Sequence, residues 1–266
     1  MTPVRRRLGL IGFGFIGAGV YRRVVATPQA GLEIAFVHNR SRERLSGVAA
    51  EHILERLEDS AARRPDLVVE MAHPEFTRRY GASILAHADY LPLSVTALAD
   101  DDLRERLVAV ARASGHRLLL PHGALMACDN LVEWRDMWES VEITFRKHPR
   151  NIEFADSGFD VTTIRGETVV YDGPARGIAR LYPRNVNTMI TCALATVGLD
   201  RCRARLIADP SLEVAVAEVV ALGRDGSLLT ARKEQPATGV SGTEMFASQF
   251  HSICKAAGLL EPFDFV

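Results

Sequence analysis

At 266 residues, 47% of them hydrophobic, the chain can bury a full core and has room for one large or two modest domains. Its 32 Lys and Arg nearly cancel its 33 Asp and Glu, and a net charge of −1 leaves no bulk field to draw nucleic acid or an anionic membrane, so neither is expected as a partner. Cys128, Cys192, Cys202 and Cys254 lie far apart with no CxxC pair, which argues against a disulfide framework and a metal site and fits a reducing, cytoplasmic setting.

The basic, then apolar start, MTPVRRRLGLIGFG, is broken by glycines, unlike a signal peptide. No run approaches the roughly 20 apolar residues of a membrane span. Strand and helix signals then alternate. Leu8 to Ile11 predicts a buried strand, Ile16 to Ala26 a helix, and Leu32 to Asn39 the next strand. Charged helical sequence starts at Ser41, Pro65 to Ala72 reads as a strand, and Pro74 opens a helix running to about His87. A fourth strand at DYLPLSV, an acid-started helix from Asp100 to Ser114 and a fifth strand at HRLLLP complete the series. Repeated βα units specify a parallel sheet covered on both faces, so the fold class is α/β, a Rossmann-type doubly wound sheet.

In that setting the glycines of GFGFIG gain meaning. Gly12 makes the tight turn out of the first strand, Gly14 lets backbone approach a pyrophosphate, and Gly17 lets the helix pack on the strand, with Phe15 and Ile16 opening the helix whose N-terminus faces the phosphates. The second strand ends in VHNRSRER, without the acidic residue that bonds a ribose 2′-hydroxyl in NAD-specific sites. Asn39, Arg40 and Ser41, with Arg42, suit a 2′-phosphate, so NADP is the preferred cofactor and NAD the alternative.

After Pro121 the pattern changes to a second, α+β domain. SVEITFRKHP alternates from Val141, residues 159 to 173 read as a hairpin turning near Arg165 to Glu167, and residues 185 to 200 as a helix ended by Gly198. Strand-like runs follow at RARLIAD, LEVAVAEVVAL and SLLTARK, then a last helix from about Thr243 to Ala257. The expected domains are a dinucleotide-binding domain at 1–121, a substrate and catalytic domain at 122–240, and a C-terminal helix at 241–266 packing back across the boundary.

GFGFIG at 12 to 17, LSVTALAD at 93 to 100, PHGALMACDNL at 121 to 131, TFRKHP at 144 to 149, YPRNVNTMITCALATVGLD at 182 to 200 and IADPSLEVAVAEV at 207 to 219 together resemble the L-aspartate dehydrogenases over nearly the whole chain. That resemblance implies a nicotinamide-linked amino-acid dehydrogenase interconverting L-aspartate and iminosuccinate, with cofactor contacts at Ala124 and Asn187. A homo-oligomer, most simply a dimer, is the expected assembly. The departures fall on the substrate side. The family's NxHE segment puts its histidine at Ala217 and its asparagine at Ala215, its loop serine is His122 here, a proline of RKPP is His148, and NPKTS is not recognisable in PATGVSGTEM.

A methyl group transfers no proton, so other residues are candidates for that task. His122, in the loop after the fifth strand, is the first catalytic candidate, followed by Lys147 and His148; Arg146 and Asn185 are candidates for the substrate carboxylate. The expected function is hydride transfer between a nicotinamide and a small carboxylated amino acid, imine or related carbonyl compound. The alternative is a cofactor-binding regulatory protein of the same fold that has lost catalysis, for which Ala217 is the argument.

Overall fold

The computed structural model describes residues 5–238, 241–242 and 245–259. It divides into a first unit of residues 1–121 with 246–266 and a second unit of residues 122–245.

The first unit is built on four parallel strands, β1 (Arg6–Ile11), β2 (Leu32–His38), β3 (Leu67–Glu70) and β4 (Asp89–Pro92), in the order β2-β1-β3-β4. Leu8, Leu10 and Ile11 of β1 and Val68 and Val69 of β3 are fully buried, as continuous apolar runs are when helices cover both faces of a sheet. Helix α1 (Phe15–Ala26) buries Gly17, Val20, Tyr21 and Val24, the spacing of one helical stripe. Helix α2 (Pro74–Leu85) starts on His73, whose Nδ1 accepts from the Glu75 N–H at 3.2 Å, and α3 (Asp101–Ser114) starts on Asp100, whose carboxylate accepts from the Leu103 N–H at 3.1 Å.

Two expected elements take other forms. The charged segment after Ser41 forms three short 3-10 turns, Arg42–Leu45, Ala50–His52 and Leu57–Arg63, because Ile53 and Leu54 are drawn against β2: Ile53 bridges Val37, and the Leu54 N–H donates to the Val37 carbonyl at 2.9 Å. The fifth strand shrinks to one parallel bridge, Tyr90 with Leu118. The C-terminal helix (Met245–Ala256) belongs to the first unit from Phe246 on: Ile253 is fully buried in that unit's apolar core, Phe250 lies under Arg23, and Arg6 Nε donates to the Ala257 carbonyl at 3.1 Å. Thr243, where the sequence starts this helix, lies outside the described residues, as do Gly239, Val240 and Glu244 of PATGVSGTEM.

Glu70 closes β3 at the carboxyl edge of the sheet, fully buried. Its Oε1 accepts from the N–H groups of Ala72 and His73 at 2.6 and 2.7 Å and from Ser94 Oγ at 3.0 Å, and Oε2 accepts from the Ser94 N–H at 3.2 Å, so one carboxylate ties together the loops after β3 and β4. Burial pushes this carboxyl from 4.5 up to about 7, against the downward pull of those donors. The native state therefore holds the proton more tightly than the unfolded chain, and stability from this group is full below pH 4.5 and lost as pH rises through about 7. Glu70→Gln should flatten the stability–pH curve across that window. Chemical denaturation at several pH values checks this, and an unchanged slope contradicts it.

The second unit is a five-stranded mixed sheet in the order β6-β7-β5-β8-β9, from β5 (Trp138–Lys147), β6 (Thr168–Pro174), β7 (Arg203–Ala208), β8 (Ala215–Gly223) and β9 (Leu228–Gln235). Only β5 with β7 is parallel. The hairpin expected at 159–173 keeps only its second arm. Asp160 accepts from the Thr162 N–H at 2.9 Å and turns Val161–Thr163 into a 3-10 loop, so β6 pairs with β7 instead. Helices α4 (Cys128–Glu133), α5 (Ala175–Leu181) and α6 (Asn187–Ala195) complete the unit, and α6 is nearly enveloped, with Met189, Ile190, Cys192 and Ala193 fully buried. Among the described residues no helix is long and apolar enough to cross a membrane.

Candidate functional site

Two constellations are candidates for a site, one in each unit. In the first, the chain leaves β1 at Gly12, where a φ of +94° disfavours any side chain and a Cβ would stand 2.7 Å from the Met71 carbonyl oxygen, so only glycine fits. A Cβ on Gly17 would collide with the Gly12 carbonyl oxygen, so this glycine closes α1 onto the turn. Gly14 differs: a Cβ there meets nothing within 4 Å. It is the N-cap of α1 with no side-chain cap, and no acidic residue stands in the first turn, which leaves helix N–H groups and their partial positive charge facing open space. Phe15 is 63% exposed, and Ile16 is half-buried against the core. An open face at Gly14 beside an uncapped helix start fits a dinucleotide pyrophosphate.

The end of β2 refines the cofactor reading. Asn39 is committed to the loop itself: Oδ1 accepts from the Phe13 N–H at 3.0 Å and Nδ2 donates to the Ser41 carbonyl at 2.8 Å. These two bonds shape the glycine turn. Ser41 contributes its carbonyl to this brace, and Arg42 is paired with Glu55 at 2.8 Å. Arg40 lines a hollow beyond the strand ends, together with His38, His73, Phe76 and Arg79.

In the second unit the period-two alternation of β5 sorts the basic residues. Phe145 and Lys147 share the face that looks into a pocket, and the Lys147 ammonium sits 5.2 Å from the Phe145 ring centroid. Arg146 points to the opposite face, where it meets Glu167 at 3.1 Å. His148, just past the strand, accepts from the Arg150 N–H at 3.1 Å and caps a 3-10 turn. Arg146 and His148 therefore do not line the pocket; strand parity and the cap remove them. His122 does not line it either, and its Nε2 lies 3.4 Å from Asp129, with the imidazole 42% exposed.

The pocket gathers Ala124, Lys147, Asn185 and Asn187 from the sequence candidates and adds Arg184, Lys233 and Gln235. Lys147 is only 7% exposed and Asn185 5%. Asn185 Oδ1 accepts from the Glu153 N–H at 3.1 Å, which fixes the amide orientation, and its Nδ2 is buried without a partner. Leaving such a donor unsatisfied costs about 1–3 kcal/mol, so it marks a place where a ligand acceptor belongs. Arg184 is held by Glu153 at 2.8 Å. The floor is β8: Ala217 stands opposite Phe145 on one side and Lys233 on the other, and Ala215 stands opposite Gln235. Lys233 and Gln235 gave no sequence signal, since only the β8–β9 register brings them here. No group of three or more His, Cys, Asp or Glu residues arranged to hold a metal occurs among the described residues.

Comparison with known proteins adds to this geometry. Residues 12–121 match the homoserine dehydrogenase NAD-binding domain model and residues 131–250 the aspartate dehydrogenase C-terminal model. The chain is 35% identical over 273 residues to an aspartate dehydrogenase domain-containing protein of Xenopus tropicalis, covering 96% of each, and 36% identical over 259 residues to an L-aspartate dehydrogenase of Pseudomonas aeruginosa, covering 94% and 95%. Among solved structures it shares the fold of aspartate dehydrogenase from Thermotoga maritima (TM-score 0.75, 24% identity, 98% and 100% coverage). It also resembles, at TM-score 0.56, 13% identity and 98% and 88% coverage, a protein of gentamicin A biosynthesis solved with NAD.

Proposed function

Since the chain belongs to the aspartate dehydrogenase family, with its NAD-binding domain and oxidoreductase relatives, we propose that it transfers hydride between a nicotinamide and the amine-bearing carbon of a small carboxylated amino acid or its imine. The observation that carries this reading is the second-unit pocket, in which buried Lys147 and the unpartnered Asn185 Nδ2 line one cavity with no carboxylate among its described lining residues. The bound nicotinamide supplies the hydride chemistry. The chain supplies the rest: Asn185 Nδ2 and Arg184 receive a substrate carboxylate, and Lys147 Nζ gives a proton to the substrate nitrogen or takes one from it. The methyl of Ala217 does neither, so L-aspartate oxidation is expected to be slow relative to the chain's own substrate. A spectrophotometric screen of amino acids with NADP and NAD, and of keto acids with ammonia in reverse, tests the reading; cofactor binding without turnover of any of them favours the regulatory alternative, which Ala215 and Ala217 support.

NADP is the proposed cofactor because Arg40, which lines the hollow past β2, suits a 2′-phosphate. Arg40→Ala should weaken NADPH binding about tenfold and leave NADH unchanged, as expected for losing one charge-assisted contact. Nicotinamide fluorescence titration reads both; equal losses for the two cofactors contradict the assignment.

A further inference from the structure

The pocket face of the second unit constrains the length of the substrate. Lys147 stands on β5 and Lys233 on β9, and β8 between them turns the methyls of Ala215 and Ala217 to the same face. Neighbouring strands lie about 4.8 Å apart, so the two lysine-bearing backbones stand about 10 Å apart across a shallow methyl floor. Phe145, directly opposite Ala217, continues this apolar floor. Among the described residues no Asp or Glu lines the pocket, and a cationic substrate side chain would lie among Lys147, Arg184 and Lys233. Asn185 Nδ2, buried and unpartnered, adds a donor on the wall. The surroundings thus offer donors and cations at the sides and methyl surface in the middle.

Resting on the oxidoreductase reading above, we infer that this site takes an amino or imino dicarboxylic acid with a carbon chain longer than that of aspartate. One carboxylate meets Asn185 and the neighbouring cations, the other reaches Lys233, and the intervening methylenes lie on Ala215 and Ala217. A shorter dicarboxylate leaves the alanine floor uncovered, and an unfilled apolar surface forfeits the contacts that a chain of matching length makes.

Steady-state kinetics of the full chain with NADP and with L-aspartate, L-glutamate or L-2-aminoadipate test this, with L-norleucine as the monocarboxylate control and calorimetric binding measured alongside turnover. The expected result is a kcat/KM for one of the longer dicarboxylates at least about tenfold above that for aspartate. Lys233→Met should raise KM for that substrate about tenfold without changing cofactor affinity or the norleucine value, and Ala217→Leu, which covers the floor, should erase the preference. Aspartate turned over best, or norleucine equal to the dicarboxylates, overturns the chain-length inference and leaves the oxidoreductase reading standing. Binding of a long dicarboxylate that depends on Lys233, with no turnover, supports the inference and overturns the hydride-transfer reading. Neither binding nor turnover of any dicarboxylate overturns both.

Discussion

A Gly14→Val variant folds with near-native stability and loses the dinucleotide. Gly14 has an extended backbone, with φ of −84°, and a Cβ there meets nothing within 4 Å, so the protein itself accepts a side chain at this position. The added branch instead occupies the open face beside the uncapped start of α1, where backbone must approach the pyrophosphate. The thermal midpoint should stay within about 2 °C of the parent, as for a surface substitution, while NADPH affinity falls about 100-fold. Gly12→Ala behaves in the opposite way: with φ at +94° and the Met71 carbonyl 2.7 Å from the new Cβ, it should destabilise the first unit by about 1–3 kcal/mol. Calorimetry and nicotinamide fluorescence on both variants separate the two roles. Retained NADPH affinity in Gly14→Val contradicts the phosphate assignment.

Lys147→Met is expected to lower kcat about 1,000-fold while leaving cofactor affinity within a few-fold. Methionine keeps the apolar stem that packs beside Phe145 in the pocket, so the loss reports the ammonium rather than the packing. His122→Ala serves as the comparison, because its imidazole meets Asp129 rather than the pocket, and its kcat should stay within a few-fold of the parent. A Lys147→Met variant with nearly native kcat moves the proton-handling role away from Lys147, and a large loss in His122→Ala returns it to the loop.

The dinucleotide fold was legible because its signals are local. Gly12, Gly14 and Gly17 sit between a buried strand and a helix whose apolar stripe runs Gly17, Val20, Tyr21 and Val24, and the following βα units repeat that order. Where a tertiary contact overrode local pattern, the reading failed: the charged stretch after Ser41 looks helical, yet Ile53 and Leu54 are taken by β2. In the second unit, Arg146, Lys147 and His148 read as one basic cluster although the alternation of Val141, Ile143 and Phe145 already placed Lys147 alone on the apolar face. That signal was available and outweighed by charge. Lys233 and Gln235 were beyond local reading, since they join Ala215 and Ala217 only through strand register, and Asn185 gained significance from an amide oriented by the Glu153 backbone, a contact no spacing announces.

Hydride transfer despite alanine at 217 is read by incubating the protein with NADPH carrying deuterium at the nicotinamide C4, ammonia and a mixture of 2-oxo dicarboxylic acids, and weighing the amino acids formed. The expected product is an amino dicarboxylic acid one deuterium heavier at its α-carbon, formed about 1,000-fold more slowly when Lys147→Met replaces the parent protein. Tight NADPH binding with no deuterium in any product would contradict it and leave a cofactor-binding protein without catalysis.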